Sequence, residues 1–196
     1  MKNPSVTSVI RGASQDALSH AFSSAAPDQI YDLEISSHVR GPRIGTVDCA
    51  RGEAFHEALS QGFSGQWVAP QYFPFVRVIK DWLDDEGVTR SLSEWEFRGS
   101  KAVRGRCDLL VKGGPNQRGV IEAKLKGPNR LPEAVPLDDL LELSLYTASA
   151  AERFHDYDHY WGALAYVHPA SHSIRVFEWR TMGCCCEAAN QILRVA

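Results

Sequence analysis

The chain has 196 residues, 44% of them hydrophobic, and a formal net charge of -3. That length supports one well-formed core and leaves little for a second, and no run of eighteen apolar residues suggests a membrane span. Five cysteines without regular spacing argue against a disulfide framework, and with no apolar leader in MKNPSVTSVIRGASQDALSH a cytoplasmic protein in a reducing compartment is expected.

Residues 1–30 are rich in Ser, Ala and polar side chains with weak periodicity, which predicts a polar, loosely packed arm ahead of a single domain over 31–196. CARGEAFHEALSQGF then places Ala54, Phe55, Ala58 and Leu59 on one helical stripe, with Gly52 and His56 four residues apart on a neighbouring face. FVRVIKDWLDDEG reads as a second helix with Val76, Ile79, Trp82 and Leu83 inward and Gly87 as its stop. SLSEWEFRG reads as a strand in which Leu92, Trp95 and Phe97 alternate imperfectly with polar residues. RCDLLVK and GVIEAKL, separated by the turn-rich GGPNQRG, predict a hairpin. The clearest helix is LDDLLELSLYTASAAERF, with Leu137, Leu140, Leu141, Leu145 and Ala148 at core spacing. The strands YWGALAYVH and SIRVFEW and a terminal helix through EAANQILRV follow. This order of elements predicts an α/β fold with a central mixed β-sheet flanked by helices.

Asp108 and Glu122 are the only acidic residues between positions 98 and 130, and both interrupt apolar strands. A buried carboxylate needs a cation or a metal. Residues two apart in a strand share a face, so Glu122 and Lys124 project together. If Asp108 faces the same way, the two carboxylates and the Ala123 carbonyl form a hard oxygen set suited to Mg²⁺ or Mn²⁺. Lys124 would then orient or help deprotonate a water, or offset charge on a phosphate. The same segment carries Arg98, Lys101, Arg104, Arg106, Lys112, Arg118, Lys124, Lys126 and Arg130, a net +7 that leaves -10 for the rest of the chain. Such a patch fits either a polyanion drawn to a metal site or a solvated basic hairpin. No phosphate-cradling G-x-x-x-x-G-K-[ST] loop, G-x-S-x-G elbow or H-E-x-x-H helix is present.

Gly105, Asp108, Leu109, Glu122 and Lys124 form G-x-x-D-L followed by E-x-K, which resembles the signature of the PD-(D/E)XK nuclease superfamily. RGEAFHEAL resembles the G-x-x-x-H helix of its RecB, AddB and Cas4 branch, with His56 in the position of an additional metal ligand. ELSLY is similar to that branch's Q-x-x-x-Y helix, with Tyr146 at the tyrosine and Glu142 where the family has Gln. The resemblance implies a restriction-endonuclease-like core and a RecB-like, Mg²⁺- or Mn²⁺-dependent DNA exonuclease. By that resemblance it is expected to act on single strands or duplex ends, alone or with a helicase or recombination partner. By the same resemblance, His56, Asp108, Glu122 and Ala123 hold the metal, Lys124 positions the attacking water, and Tyr146 and Glu142 serve the phosphate. An ionised Glu142 cannot donate a hydrogen bond as Gln does, so it is expected to be protonated, to pair with an arginine such as Arg104, or to help hold the metal. Some relatives carry an iron-sulfur cluster on four cysteines. Cys49 with Cys184, Cys185 and Cys186 matches that count but not the spacing, so no cluster is expected.

Plainer readings stand beside these. His56 alone suits a helix-surface or hydrogen-bonded core histidine, Tyr146 a core residue, Glu94 and Glu96 solvent-facing positions, and Lys126 and Arg130 either backbone contacts or solvated charges. Two rival functions remain. One is a non-catalytic DNA-binding or scaffolding subunit of the same fold; the other is an interaction protein whose carboxylates pair with Lys124 and Arg106.

Overall fold

Apolar spacing along the chain switches between periods of two and of three to four residues, and the chain folds accordingly into a six-stranded sheet with helices on both faces. The computed structural model describes residues 4–97, 103–114, 116–127 and 131–195. Its elements are α1 (Val6–Gly12), α2 (Gln15–Ala21), β1 (Gln29–Glu34), α3 (Cys49–Phe63), α4 (Phe73–Asp85), β2 (Arg90–Phe97), β3 (Gly105–Lys112), β4 (Gln117–Leu125), α5 (Leu137–Arg153), β5 (His159–His168), β6 (Ser173–Trp179) and α6 (Gly183–Val195). The strand order is β1-β6-β5-β4-β3-β2. Among the strand pairs of the described residues only β4–β5 is parallel, and α5 supplies the crossover that a parallel pair requires. The sheet is therefore mixed and the fold is α/β, as the order of elements predicts.

Each face of the sheet covers its own core. One packs Leu110, Val120, Leu164 and Phe177 under α1, α2, α5 and α6; the other packs Leu109, Ile121, Ala163 and Val176 under α3 and α4. Val76, Ile79, Trp82 and Leu83 are all buried, and Gly87, at φ +74°, ends the α4 segment in the left-handed conformation that favours glycine.

The amino-terminal segment departs from the expected loose arm. Ser5 and Ser14 cap α1 and α2 by accepting hydrogen bonds from the Ser8 and Ala17 amides, and Val6, Val9, Leu18 and Phe22 are buried in the core shared with α5 and α6. Strand β1 then closes the sheet edge against β6, tied by a two-pronged Arg175–Asp32 pair at 2.6 and 2.9 Å. Two helices of seven residues are too short to display a periodicity, which is why composition dominates a reading of this segment. No helix among the described residues is long and apolar enough to cross a membrane.

Close approach of β4 and β5 depends on one glycine. Gly119 pairs with Trp161, and a Cβ at Gly119 would lie 2.3 Å from Trp161 Cε2. Gly119→Ala is therefore expected to destabilise the fold by about 1–3 kcal/mol through overpacking. Thermal unfolding followed by circular dichroism checks this, and an unchanged midpoint would contradict it.

Candidate active site

Regular alternation fails at one rung of the sheet, and the site is built there. In β2, Leu92, Trp95 and Phe97 all face the α5 core; in β3, Cys107 and Leu110 do so. Leu92 to Trp95 and Cys107 to Leu110 are each three residues, so each strand presents two consecutive residues to the α3 side. These are Ser93 and Glu94 on β2, and Asp108 and Leu109 on β3. The Ser93 hydroxyl meets Ser60 of α3 at 3.0 Å, and Leu109 joins the α3/α4 core. Glu94 adopts φ +53°, and the ladder pairs Ser93 with Leu109 and Trp95 with Cys107 on either side of the Glu94/Asp108 rung.

On its other edge β3 separates from β4 at the same level. Their pairing runs from Lys112↔Arg118 to Leu109↔Ile121 and goes no further. Beyond it, the Asp108 amide donates to Glu122 Oε1 at 3.0 Å, and the Ala123 amide donates to Asp108 Oδ2 at 2.8 Å. Each carboxylate thus takes the place of a peptide carbonyl in the interrupted ladder. His56, on α3, brings Nδ1 to 2.8 Å from Asp108 Oδ1. On the opposite side, Lys124 donates to Glu142 of α5 and lies 3.6 Å from Glu122 Oε2. His56, Asp108, Glu122, Lys124 and Glu142 line one pocket of about 450 Å³.

Charge in this pocket is crowded. Burial, and then the neighbouring Asp108 carboxylate, hold Glu122 well above the usual carboxylate range. The hydrogen bond to Asp108 raises His56. Burial pulls Lys124 down, but the Glu122 and Glu142 carboxylates outweigh it and hold the ammonium protonated. Glu94, raised by burial and opposed by Arg106, lines the same pocket with its carboxylate 2.5 Å from Arg106 Nε.

The lining includes six carboxylates, Glu53, Glu57, Glu94, Asp108, Glu122 and Glu142, against two fixed cations, Arg106 and Lys124. An excess of hard oxygen donors with too few counter-charges fits a divalent cation of the Mg²⁺ or Mn²⁺ kind. His56, Asp108 and Glu122 are the residues that would hold it. Among the described residues no group of three His, Cys, Asp or Glu side chains is already drawn together as a ligand set. The Asp108 oxygens face His56 and the Ala123 amide, and Glu122 Oε1 faces the Asp108 amide. Ala123 reaches the site through its N–H, on the strand edge that its carbonyl shares.

Several expectations change. Glu142 pairs with Lys124, not with Arg104. Tyr146 is buried one layer behind the pocket, its ring stacked on Phe97 at 5.8 Å. It also explains Gly105, since a Cβ there would lie 2.6 Å from Tyr146 Cε1. Two members of the basic segment are engaged within the fold. Arg118 lies between the Phe154 and Tyr157 rings at 4.3 and 4.4 Å, and Lys126 lies 3.6 Å from Asp139 Oδ2. Arg98, Lys101 and Arg130 lie outside the described residues. Glu96 is exposed as expected, but Glu94 is not simply solvent-facing; the uneven Leu92, Trp95, Phe97 spacing is the signal that places it in the pocket. Cys184 is exposed, Cys185 buried and Cys186 half-buried with Sγ toward the Ser144 carbonyl, so the three thiols of α6 diverge.

A second carboxylate group lies where β4 begins. Glu86, Glu178 and Arg180 line a pocket of about 280 Å³, and the Tyr31 hydroxyl donates to Glu86 at 2.7 Å. One Glu178 oxygen is buried without a hydrogen-bond partner, and burial followed by the Glu86 charge raises its pKa above 4.5. A carboxyl whose folded pKa is raised contributes stability below its unfolded pKa and loses it as pH rises through the folded value. Glu178→Gln is therefore expected to gain on the wild type in melting temperature as pH rises from about 4.5 to 7. Parallel profiles for the two proteins would contradict that.

No family model matches the chain, and no curated protein is similar to it. A solved structure described as "Crystal structure of SSO0001" is similar at 19% sequence identity over 74% of this chain and 69% of that one, with a TM-score of 0.31. A superposition that loose carries no argument about fold or activity.

Proposed function

We propose that the protein is a metal-dependent nuclease of the PD-(D/E)XK type that hydrolyses DNA phosphodiester bonds, in the manner of RecB-like exonucleases. The observation that carries this reading is the meeting of Asp108, Glu122, Lys124 and His56 in one pocket where β3 and β4 part. These four side chains come from three elements and are the ones the motif resemblance names. The mixed sheet with α5 crossing between parallel β4 and β5 agrees with a restriction-endonuclease-like core.

A bound Mg²⁺ or Mn²⁺ would supply charge for the phosphate oxygens and a water of lowered pKa. Asp108 and Glu122 would turn oxygens toward it, and His56, with Nδ1 committed to Asp108, would offer Nε2 to the pocket. Lys124, held between Glu122 and Glu142, would hold the attacking water by hydrogen bonding or help to deprotonate it. Glu142 fixes the ammonium in that place. Tyr146, packed against Gly105 and close to the Glu122 and Glu142 charges, would steady the phosphate side of the site from behind the strand. The substrate proposed is DNA as single strands or duplex ends, in the cytoplasm, with a helicase or recombination protein as partner.

One observation favours a second reading. Glu142 in place of a donor amide, together with the withdrawn Tyr146, leaves the phosphate with fewer protein donors, as in a non-catalytic DNA-binding subunit. The deciding experiment is cleavage of end-labelled single-stranded and duplex linear DNA beside a covalently closed circle, with Mg²⁺, Mn²⁺ or EDTA. Metal-dependent loss of the linear forms supports the nuclease, and survival of the circle makes it an exonuclease. Binding without cleavage in either metal favours the subunit.

A further inference from the structure

We propose that Arg106 is the residue that grips the phosphate of the nucleic acid at the mouth of this pocket, with Glu94 as the positioning residue that aims it. This rests on the nuclease reading. The pocket is rich in carboxylates, so a phosphate approaching it needs a cation on the wall with donors to spare. Of the two basic residues in the lining, Lys124 is held between Glu122 and Glu142 with its side chain 20% exposed, while the Arg106 side chain is 59% exposed.

Arg106 meets Glu94 through Nε. A guanidinium has five N–H donors in a rigid fork, so a bond at Nε leaves the two terminal nitrogens for the paired hydrogen bonds that suit a phosphate. A carboxylate behind a guanidinium also fixes its direction, which a flexible lysine at the same place would lack. The two roles suggested by the Q-x-x-x-Y resemblance are left open by Glu142, an acceptor tied to Lys124, and by Tyr146, behind the strand. Arg106 fills the gap from the other wall.

The backbone points the same way. Glu94 is a non-glycine residue at φ +53° in the middle of a strand, a conformation that costs free energy unless the surroundings impose it. In a regular strand Glu94 would turn to the face opposite Ser93. The left-handed turn instead sends it into the pocket beside Asp108, where it meets Arg106 on the paired strand. The strained conformation thus has a definite product, an oriented guanidinium.

The test uses the full-length protein and a fluorescein-labelled single-stranded 20-mer in Ca²⁺ buffer, read by anisotropy across a KCl series, alongside steady-state cleavage in Mg²⁺. Arg106→Gln is expected to weaken binding about tenfold or more and to reduce the slope of log K against log [KCl] by about one, with Arg106→Lys in between. KM should rise with kcat within a few-fold of wild type. Glu94→Gly should show the same KM rise yet melt higher than Glu94→Ala, because glycine accepts the left-handed conformation. A structural ion pair would give neither the salt slope nor that order of stabilities. Wild-type cleavage with an unchanged slope and KM in Arg106→Gln would overturn the proposal alone. A wild type that neither binds nor cuts DNA would overturn the nuclease reading and this proposal with it.

Discussion

Replacing Lys124 with alanine is expected to reduce metal-dependent cleavage by at least about a thousandfold, the scale of losing a positioned water-binding group together with its charge. Two effects are superimposed. Chemically, the water that attacks phosphorus loses the donor that holds it. Electrostatically, Glu122 and Glu142 are left facing each other without the ammonium that joins them, with side chains 4% and 22% exposed. Removing one partner of a buried pair costs about 3–5 kcal/mol, and the partial exposure of Glu142 puts this case toward the low end. Lys124→Ala must therefore be read beside a variant that keeps the fold. Lys124→Gln retains an N–H donor for Glu142 while removing the charge. Single-turnover cleavage and a thermal melt on both variants separate the effects. A folded Lys124→Gln protein cutting within tenfold of wild type would rule out the assigned role.

Much of this arrangement is legible in local patterns because it depends on local forces. The helix α4 buries the four residues its periodicity selects, and α3 and α5 span the stretches where apolar spacing is helical. Asp108, Glu122 and Lys124 stand out because charges inside apolar strands demand partners. What is hidden depends on chain segments meeting at a distance. Glu142 finds Lys124 only because α5 crosses over β4, a matter of docking rather than of spacing. The burial of α1 and α2 follows from the covering faces of α5 and α6, not from seven residues of their own periodicity. Glu94 and Arg106 lie between these cases. Their placement follows from a phase shift shared by two strands, whose trace is the three-residue step from Leu92 to Trp95 repeated from Cys107 to Leu110. Strict alternation from Ser93 would turn Glu94 to the α5 face, away from Asp108 and Arg106.

An Asp108→Asn protein is expected to melt no lower than wild type in EDTA, and to be almost unresponsive to Mg²⁺ or Mn²⁺. Without a metal, Asp108 and Glu122 are two carboxylates in one buried cleft, and burial first, then the Asp108 charge, raise the pKa of Glu122. Asparagine removes one charge while its side-chain oxygen can still accept the Ala123 amide, which alanine would leave buried and unpaired at a cost of about 1–3 kcal/mol. In wild type, a cation that binds only the folded state at a hundred times its Kd adds about 2.7 kcal/mol. For a chain of this length that is a rise in Tm of about 5–10 °C. Asp108→Asn should lose nearly all of that rise and, with it, cleavage. Equal shifts in the two proteins would place the cation elsewhere, and no shift in wild type at millimolar Mn²⁺ would leave the carboxylates as structural partners of the strand amides they already meet. The expected combination, a variant that is more comfortable empty and inert when metal is offered, follows from the conflict itself. The crowding that weakens the metal-free fold is the same excess of negative charge that would draw the cation in.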